Sequence, residues 1–352
     1  MKNTANPRQL HKKSPTGQGS PRGTIIPIAS GKGGVGKSVI TANLAIALAR
    51  LGHDTLAVDL DLGGSNLHSY LGLGNKHSGI GDFLKGRKKS LPELIVPTKI
   101  PKLRFLAGDG RTPFMANIPF QQRLLLLNEL QKVKARYILL DLGAGSTFNT
   151  LNFFGLSHHG MIVTTFESPA IMNMLTFLKN FMFRLISAVC KQNNNVFKEL
   201  IEEFRRPVNG VPVTVASLLT KVGEQDQKLA RTLSEICQAY SPGLVFNMTE
   251  NIKDLDISAK ISQTLKENIS LTASFCGCVS YDNAVRRSVR QRMPIILARP
   301  DSPPSRDIIA LSRYIASGRY NSPHIKTAKE LRDEVCRRHQ SDLVPTQSCR
   351  FR

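Results

Sequence analysis

Short apolar runs alternate with longer amphipathic segments along most of this chain. Thr24 to Ser30, Thr55 to Leu60, Leu103 to Ala107, Arg136 to Asp141, Gly160 to Thr165, Gly243 to Met248 and residues 273 to 281 have the length and near-continuous hydrophobicity of strands buried on both faces. Val39 to Leu51, Pro119 to Val133, the stretch from Pro169 to Cys190 and Ser305 to Ser317 have helical length and spacing. Gly52 stands where the first of these helices needs a C-cap. Strands separated by helices predict an α/β fold, a mostly parallel central sheet with helices on both faces. Pro27 is awkward in the first strand, because it brings no N–H to a ladder; a bulge or a lost ladder bond must absorb it.

Several stretches depart from this rhythm. Residues 1 to 22 hold no acid and no period, and read as a disordered basic tail. Residues 76 to 102 are basic and rich in glycine and proline, with Lys85, Arg87 and Lys102, and read as a mobile connection facing a partner or solvent. Residues 191 to 240 read as a helical insertion of three short helices, and 321 to 352 as a basic, partly disordered C-terminal tail, which leaves 23 to 320 as the folded domain. The helix ending at Cys190 is apolar nearly all round, yet Lys179 and Arg184 argue against a bilayer span. It suits the core or, through Met172, Met174 and Met182, an adaptable contact surface.

Composition adds a charge to this picture. The chain of 352 residues is 41% hydrophobic and carries a formal net charge of +22, with 48 Lys+Arg against 26 Asp+Glu. That excess predicts attraction to a polyanion, either nucleic acid or an anionic membrane surface, unless it serves solubility alone. Six cysteines at 190, 237, 276, 278, 336 and 349 make no C-x-x-C pair, and free thiols in a reducing cytoplasm are the simplest reading. No apolar stretch follows the basic N-terminal residues, so a cytoplasmic protein is expected, with the inner membrane face as a further surface it could visit.

The chemistry centres on residues 31 to 38, G-K-G-G-V-G-K-S, set between a strand and a helix. This is the context in which G-x-x-x-x-G-K-[ST] forms a phosphate loop. Gly31, Gly33, Gly34, Val35, Gly36, Lys37, Ser38 and Val39 are the candidate cradle: glycines bring backbone N–H groups close to an anion, Lys37 reaches the outer phosphates, and Ser38 ligates Mg²⁺. Lys32 is not required by an ordinary loop of this kind. Asp59 and Asp61 lie two apart at a strand end, so both carboxylates face one site or both cap the loop that follows. Asp141 ends a buried run before Leu142-Gly143-Ala144-Gly145, as a metal-holding aspartate beside a mobile loop does. Asn247, at another strand end, suits an adenine edge or a turn cap. Arg286, Arg287, Arg290 and Arg292 form a basic patch.

Taken together, G-K-G-G-V-G-K-S, D-L-D-L-G-G from Asp59 and D-L-G-A-G from Asp141 resemble the MinD/ParA family of deviant Walker A ATPases, and within it the MinD and FlhG branch, over residues 24 to about 318. The resemblance implies a P-loop NTPase fold, ATP and Mg²⁺ as cofactors, and slow, partner-stimulated hydrolysis. It makes Lys32 a lysine that crosses an ATP-dependent homodimer interface, Asp61 the residue that orients the attacking water, Asp141 the Walker B metal partner and Asn247 an adenine contact; Ser38, Asp61 and Asp141 form the implied metal set. The expected function is a switch that recruits or positions an unidentified protein partner in cell division, flagellar placement or a similar task. A ParA-like, ATP-dependent non-specific DNA binder is the alternative, and an iron–sulfur carrier on the same scaffold a third. Two departures stand: the tail lacks a convincing amphipathic membrane helix, and no FlhG-type N-terminal activation motif is recognisable.

Overall fold

The computed structural model describes residues 23–88, 90–108, 118–190, 214–322 and 324–340. The expected basic tail at 1–22 lies outside these residues, as does the insertion between 191 and 213. The strands are β1 (Thr24–Ala29), β2 (Thr55–Leu60), β3 (Ile95–Pro97), β4 (Leu103–Leu106), β5 (Tyr137–Leu142), β6 (Met161–Thr164), β7 (Gly243–Thr249) and β8 (Ser274–Ser280). The helices are α1 (Lys37–Arg50), α2 (Leu67–Tyr70), α3 (Ile80–Leu84), α4 (Phe120–Lys132), α5 (Phe148–Phe154), α6 (Ser168–Cys190), α7 (Val215–Gln225), α8 (Gln227–Ala239), α9 (Ser258–Ile269), α10 (Asn283–Arg290), α11 (Ile295–Ala298), α12 (Pro303–Ala316) and α13 (Ala328–Gln340).

One eight-stranded sheet runs β3-β4-β2-β5-β1-β6-β7-β8, parallel except for the antiparallel edge strand β3. Its central strands bury both faces, which is why they read as continuous apolar runs. One core layer sets α1 and α12 against the sheet; the other sets α6, α8 and α9 against the opposite face. Pro27 causes no bulge against β5, since the register holds from Thr24 to Ile28. The ladder to β6 begins only at Ile28, so a donor is missing where β6 has not yet joined.

Three expectations change. The 76–102 connection contains α3, a 3-10 turn at Pro92–Leu94 and β3, whose terminal Pro97 suits an edge. On α6, Met174 and Met182 are fully buried among Phe177, Leu178 and Phe181, so the helix is core; Met172 alone of the three is outside, at 62% exposure. Residues 324–340, expected as part of a tail, are docked. Phe275 N donates to the Lys326 carbonyl across the β8 edge, and Leu331 and Val335 of α13 are buried. Arg338 pairs with the buried Asp307 at 2.7 Å and also with Glu334, which holds Lys326. The folded domain therefore extends from 320 to 340.

Candidate nucleotide site

Because β1, β5 and β2 are neighbours, their carboxyl ends bring the loop at 31–38, Asp141 and the Asp59–Asp61 turn to one place. In an open α/β sheet this is where ligands bind. The loop departs from β1 under close constraint. A Cβ on Gly31 would stand 2.3 Å from the backbone of Asn173 on α6, and one on Gly36 would stand 2.2 Å from Asn247 Nδ2. Gly34 and Gly36 hold φ of +86° and +83°, the left-handed region that glycine enters freely, while Gly33 and Gly34 are exposed with open space above them. Gly36 is the N-cap of α1, and no side chain caps that end. First-turn N–H groups and the positive end of the helix dipole are thus left for an anion.

Below the loop, Lys37 is 6% exposed and Asp141 is fully buried. Lys37 Nζ donates to Asp141 Oδ1 at 2.7 Å and lies 3.4 Å from Ser38 Oγ. Thr41, one turn further along α1, sets its hydroxyl 3.0 Å from the same Oδ1. Asp141 Oδ2 is buried with no hydrogen-bond partner among the described residues. A buried carboxylate oxygen without a donor carries a desolvation cost, and a divalent cation or its water offsets that cost. With the Ser38 hydroxyl alongside, the donor set is all oxygen and fits Mg²⁺. Val39 sits in the first turn of α1, where its carbonyl accepts from Asn43 Nδ2 at 2.8 Å.

The two aspartates after β2 part company. Asp59 is fully buried and accepts from Ser65 Oγ at 2.7 Å, Leu67 N at 3.0 Å and Asp61 N at 3.1 Å. It clamps the loop, and burial, with Asp141 beside it, pushes its carboxyl up to about 7. Asp61 is half-buried and takes Gly64 N at 3.1 Å. Burial and the Asp141 charge raise its pKa, while Lys37 and the N–H groups of Gly64 and Gly63 oppose them. Its Oδ1 also lies 3.5 Å from where a Cβ of Gly143 would be, at the foot of the glycine-rich loop after β5. Asp61 therefore faces the site, and Asp59 holds it there.

Lys32 stands at the rim, 35% exposed, with its ammonium 3.9 Å from Glu167. Asn247, nearly buried, donates from Nδ2 to the Val35 carbonyl at 2.9 Å and so braces the loop from β7. Sequence reasoning missed Thr41, although its place four residues after Lys37 puts it on the same helical face. It also passed over Glu167. Four cysteines, at 190, 237, 276 and 278, are buried, with thiols pushed up by burial to between about 11 and about 12. No cluster of three or more metal-ligating His, Cys, Asp or Glu exists among the described residues, so the iron–sulfur reading gains no support. No described helix is long and apolar enough to cross a membrane. A cleft of about 310 Å³ opens at the other end of the sheet, between Gly23, Ile25, Ile138, His159 and Asn321, and contains none of these groups.

Residues 26–295 match the CobQ/CobB/MinD/ParA nucleotide binding domain. The septum site-determining protein MinD of Thermotoga maritima is 36% identical over 166 residues, 46% of this chain and 60% of that protein. The chain spans about half the length of the curated relatives it matches. Among solved structures, the Pyrococcus horikoshii septum site-determining protein MinD complexed with Mg-ADP superposes with a TM-score of 0.52 at 20% identity, covering 84% of this chain and 98% of that one. The MinC:MinD cell division complex of Aquifex aeolicus gives 0.52 at 20%, covering 83% and 96%. At these identities the structural likeness speaks for the fold.

Proposed function

Since the chain belongs to the CobQ/CobB/MinD/ParA nucleotide-binding family, we propose that it is a Mg²⁺-dependent ATPase switch of the MinD kind. In this reading ATP closes a homodimer, the closed dimer recruits a protein partner, and hydrolysis releases it. The observation that carries the reading is the buried Lys37–Asp141 pair beneath an uncapped, glycine-lined helix start, with Asp141 Oδ2 left bare. Such an arrangement stores a cation for incoming phosphate and a carboxylate oxygen for incoming metal.

The loop N–H groups bind the phosphates and Lys37 turns from Asp141 to neutralise the charge that develops on the transferred group. Ser38 and Asp141 would hold Mg²⁺, which would supply charge neutralisation at the phosphates. Asp61, kept in place by Asp59, orients the water. Lys32 exchanges its loose pairing with Glu167 for the phosphates of a second copy. Asn247 keeps the loop in register through the Val35 carbonyl and is the proposed adenine contact. Slow basal turnover follows from a site that a second copy must complete. The MinC:MinD complex of Aquifex aeolicus supports a protein partner for the closed dimer, with spatial control of division as the task.

One observation favours a polyanionic surface as a second ligand. Arg286, Arg287, Arg290 and Arg292 are all exposed and make no ion pair among the described residues. They lie beyond the carboxyl end of β8, on the same side of the sheet as the loop. DNA is the ParA-like version of that ligand and an anionic membrane the MinD-like one.

Light scattering and pull-down test the switch. Asp61→Ala should accumulate as an ATP-bound dimer and capture the partner, Lys32→Ala should keep nucleotide but stay monomeric, and Lys37→Ala should do neither. A Lys32→Ala protein that dimerises with ATP as the wild type does would contradict the proposal.

A further inference from the structure

We propose that Thr41 is a positioning residue, which keeps Asp141 aimed at the metal once Lys37 has turned to the phosphates; this rests on the nucleotide reading above. Among the described residues Asp141 Oδ1 has two donors, Lys37 Nζ at 2.7 Å and the Thr41 hydroxyl at 3.0 Å, and Oδ2 has none. Lys37 cannot serve both Asp141 and a phosphate. When it leaves, Thr41 is the one donor still on Oδ1. An aspartate's terminal torsion is broad and two-fold, so a carboxylate held at neither oxygen turns freely. Thr41 blocks that rotation and leaves Oδ2 as the presented oxygen.

The geometry suits the task. The Thr41 hydroxyl is also 3.0 Å from the Lys37 carbonyl, but it has one proton, and the ionised carboxylate is the stronger acceptor. Thr41 is fully buried, so no water competes for that proton. Its branched Cβ restricts χ1 to few rotamers in a helix, and the one adopted sets the hydroxyl against both the Lys37 carbonyl and Asp141, one turn from the loop. The proton that orients the metal ligand thus comes from the same helix that binds the phosphates.

Retention of a fluorescent ADP analogue, titrated with Mg²⁺, tests this in wild type, Thr41→Val, Thr41→Ala and Thr41→Ser. Valine keeps the shape and removes the donor; serine keeps the donor. The Mg²⁺ concentration for half-maximal retention should rise roughly 10- to 100-fold in Thr41→Val and Thr41→Ala, the usual cost of removing a group that orients a metal ligand. Thr41→Ser should restore it, and affinity measured in EDTA should match wild type in every variant. Should Thr41→Val prove too unstable to assay, the alanine and serine pair decides alone. A wild-type Mg²⁺ midpoint in the hydroxyl-free variants, or an equal loss of affinity with and without Mg²⁺, overturns the proposal. Wild-type protein that retains the nucleotide equally in EDTA and Mg²⁺ overturns the metal reading of the site, and this inference with it.

Discussion

Four alanine substitutions within one loop separate backbone strain from steric conflict. At Gly33 the backbone has an ordinary φ and an added methyl meets nothing within 4 Å. Gly33→Ala should leave the free protein's stability unchanged or raise it by up to ~1 kcal/mol, through the unfolded chain's lost freedom. At Gly34 the space is equally open, but φ is +86°, so Gly34→Ala bears the left-handed penalty of about 1–2 kcal/mol and little else. Gly36→Ala bears that penalty at φ +83° and puts its methyl 2.2 Å from Asn247 Nδ2. Moving Asn247 breaks its bond to the Val35 carbonyl, a further loss of about 1 kcal/mol. Gly31 has no strained φ, but its methyl would stand 2.3 Å from the Asn173 carbonyl carbon and oxygen on α6. Backbone of a packed helix cannot rotate away, so Gly31→Ala should cost about 1–3 kcal/mol by overpacking. Urea unfolding without nucleotide reads all four, and the order of loss should be Gly33, then Gly34, then Gly31 and Gly36. If Gly33→Ala proves as destabilising as Gly31→Ala, the loop does not have this geometry. Nucleotide affinity should follow a different order, since a methyl on Gly33 intrudes on the open face where phosphate would lie.

Arg338→Ala removes the cationic partner of a buried Asp307, whose carboxylate also accepts from Ser280, and should cost about 2–4 kcal/mol in urea; Arg332→Ala, at an exposed pair with Asp256, should cost under ~1 kcal/mol. Glutamates at Arg286, Arg287 and Arg290 should abolish the affinity of the ATP-bound protein for duplex DNA while leaving ATP binding intact. If the wild type makes these contacts, log K against log salt should have a slope near −0.9 per phosphate neutralised, and binding to anionic vesicles but not DNA would assign the face to a membrane.

The parallel strands were legible because strands buried on both faces leave uninterrupted apolar runs, and the loop because its glycines and Lys37 recur at a spacing that phosphate binding demands. Asp59 and Asp61 could not be told apart that way. Two-residue alternation places both on one side only while the strand continues, and β2 ends at Leu60. Past that point three donors, from Asp61, Ser65 and Leu67, turn Asp59 inward. The docked C-terminal segment carries a local helix-start signal. Thr327 and Glu330 form a capping box, with Glu330 N donating to Thr327 Oγ1 at 3.2 Å and Thr327 N donating to Glu330 at 2.7 Å. Glu334 and Arg338 are an i,i+4 pair that the helix itself brings together, but what holds that helix to the domain was not legible, because Asp307 lies 31 residues from Arg338 and meets it only once the helices have docked. The same holds for Asn247 and Val35, 212 residues apart.

In the proposed switch, Lys37 exchanges a buried aspartate for the phosphates of ATP. Equilibrium titration of ATP with Mg²⁺ into wild type and Lys37→Ala, with both shown folded by urea unfolding beforehand, addresses it most directly. The variant should lose at least roughly tenfold in affinity, the least expected when a charge-assisted bond is removed. Unchanged affinity would contradict that exchange.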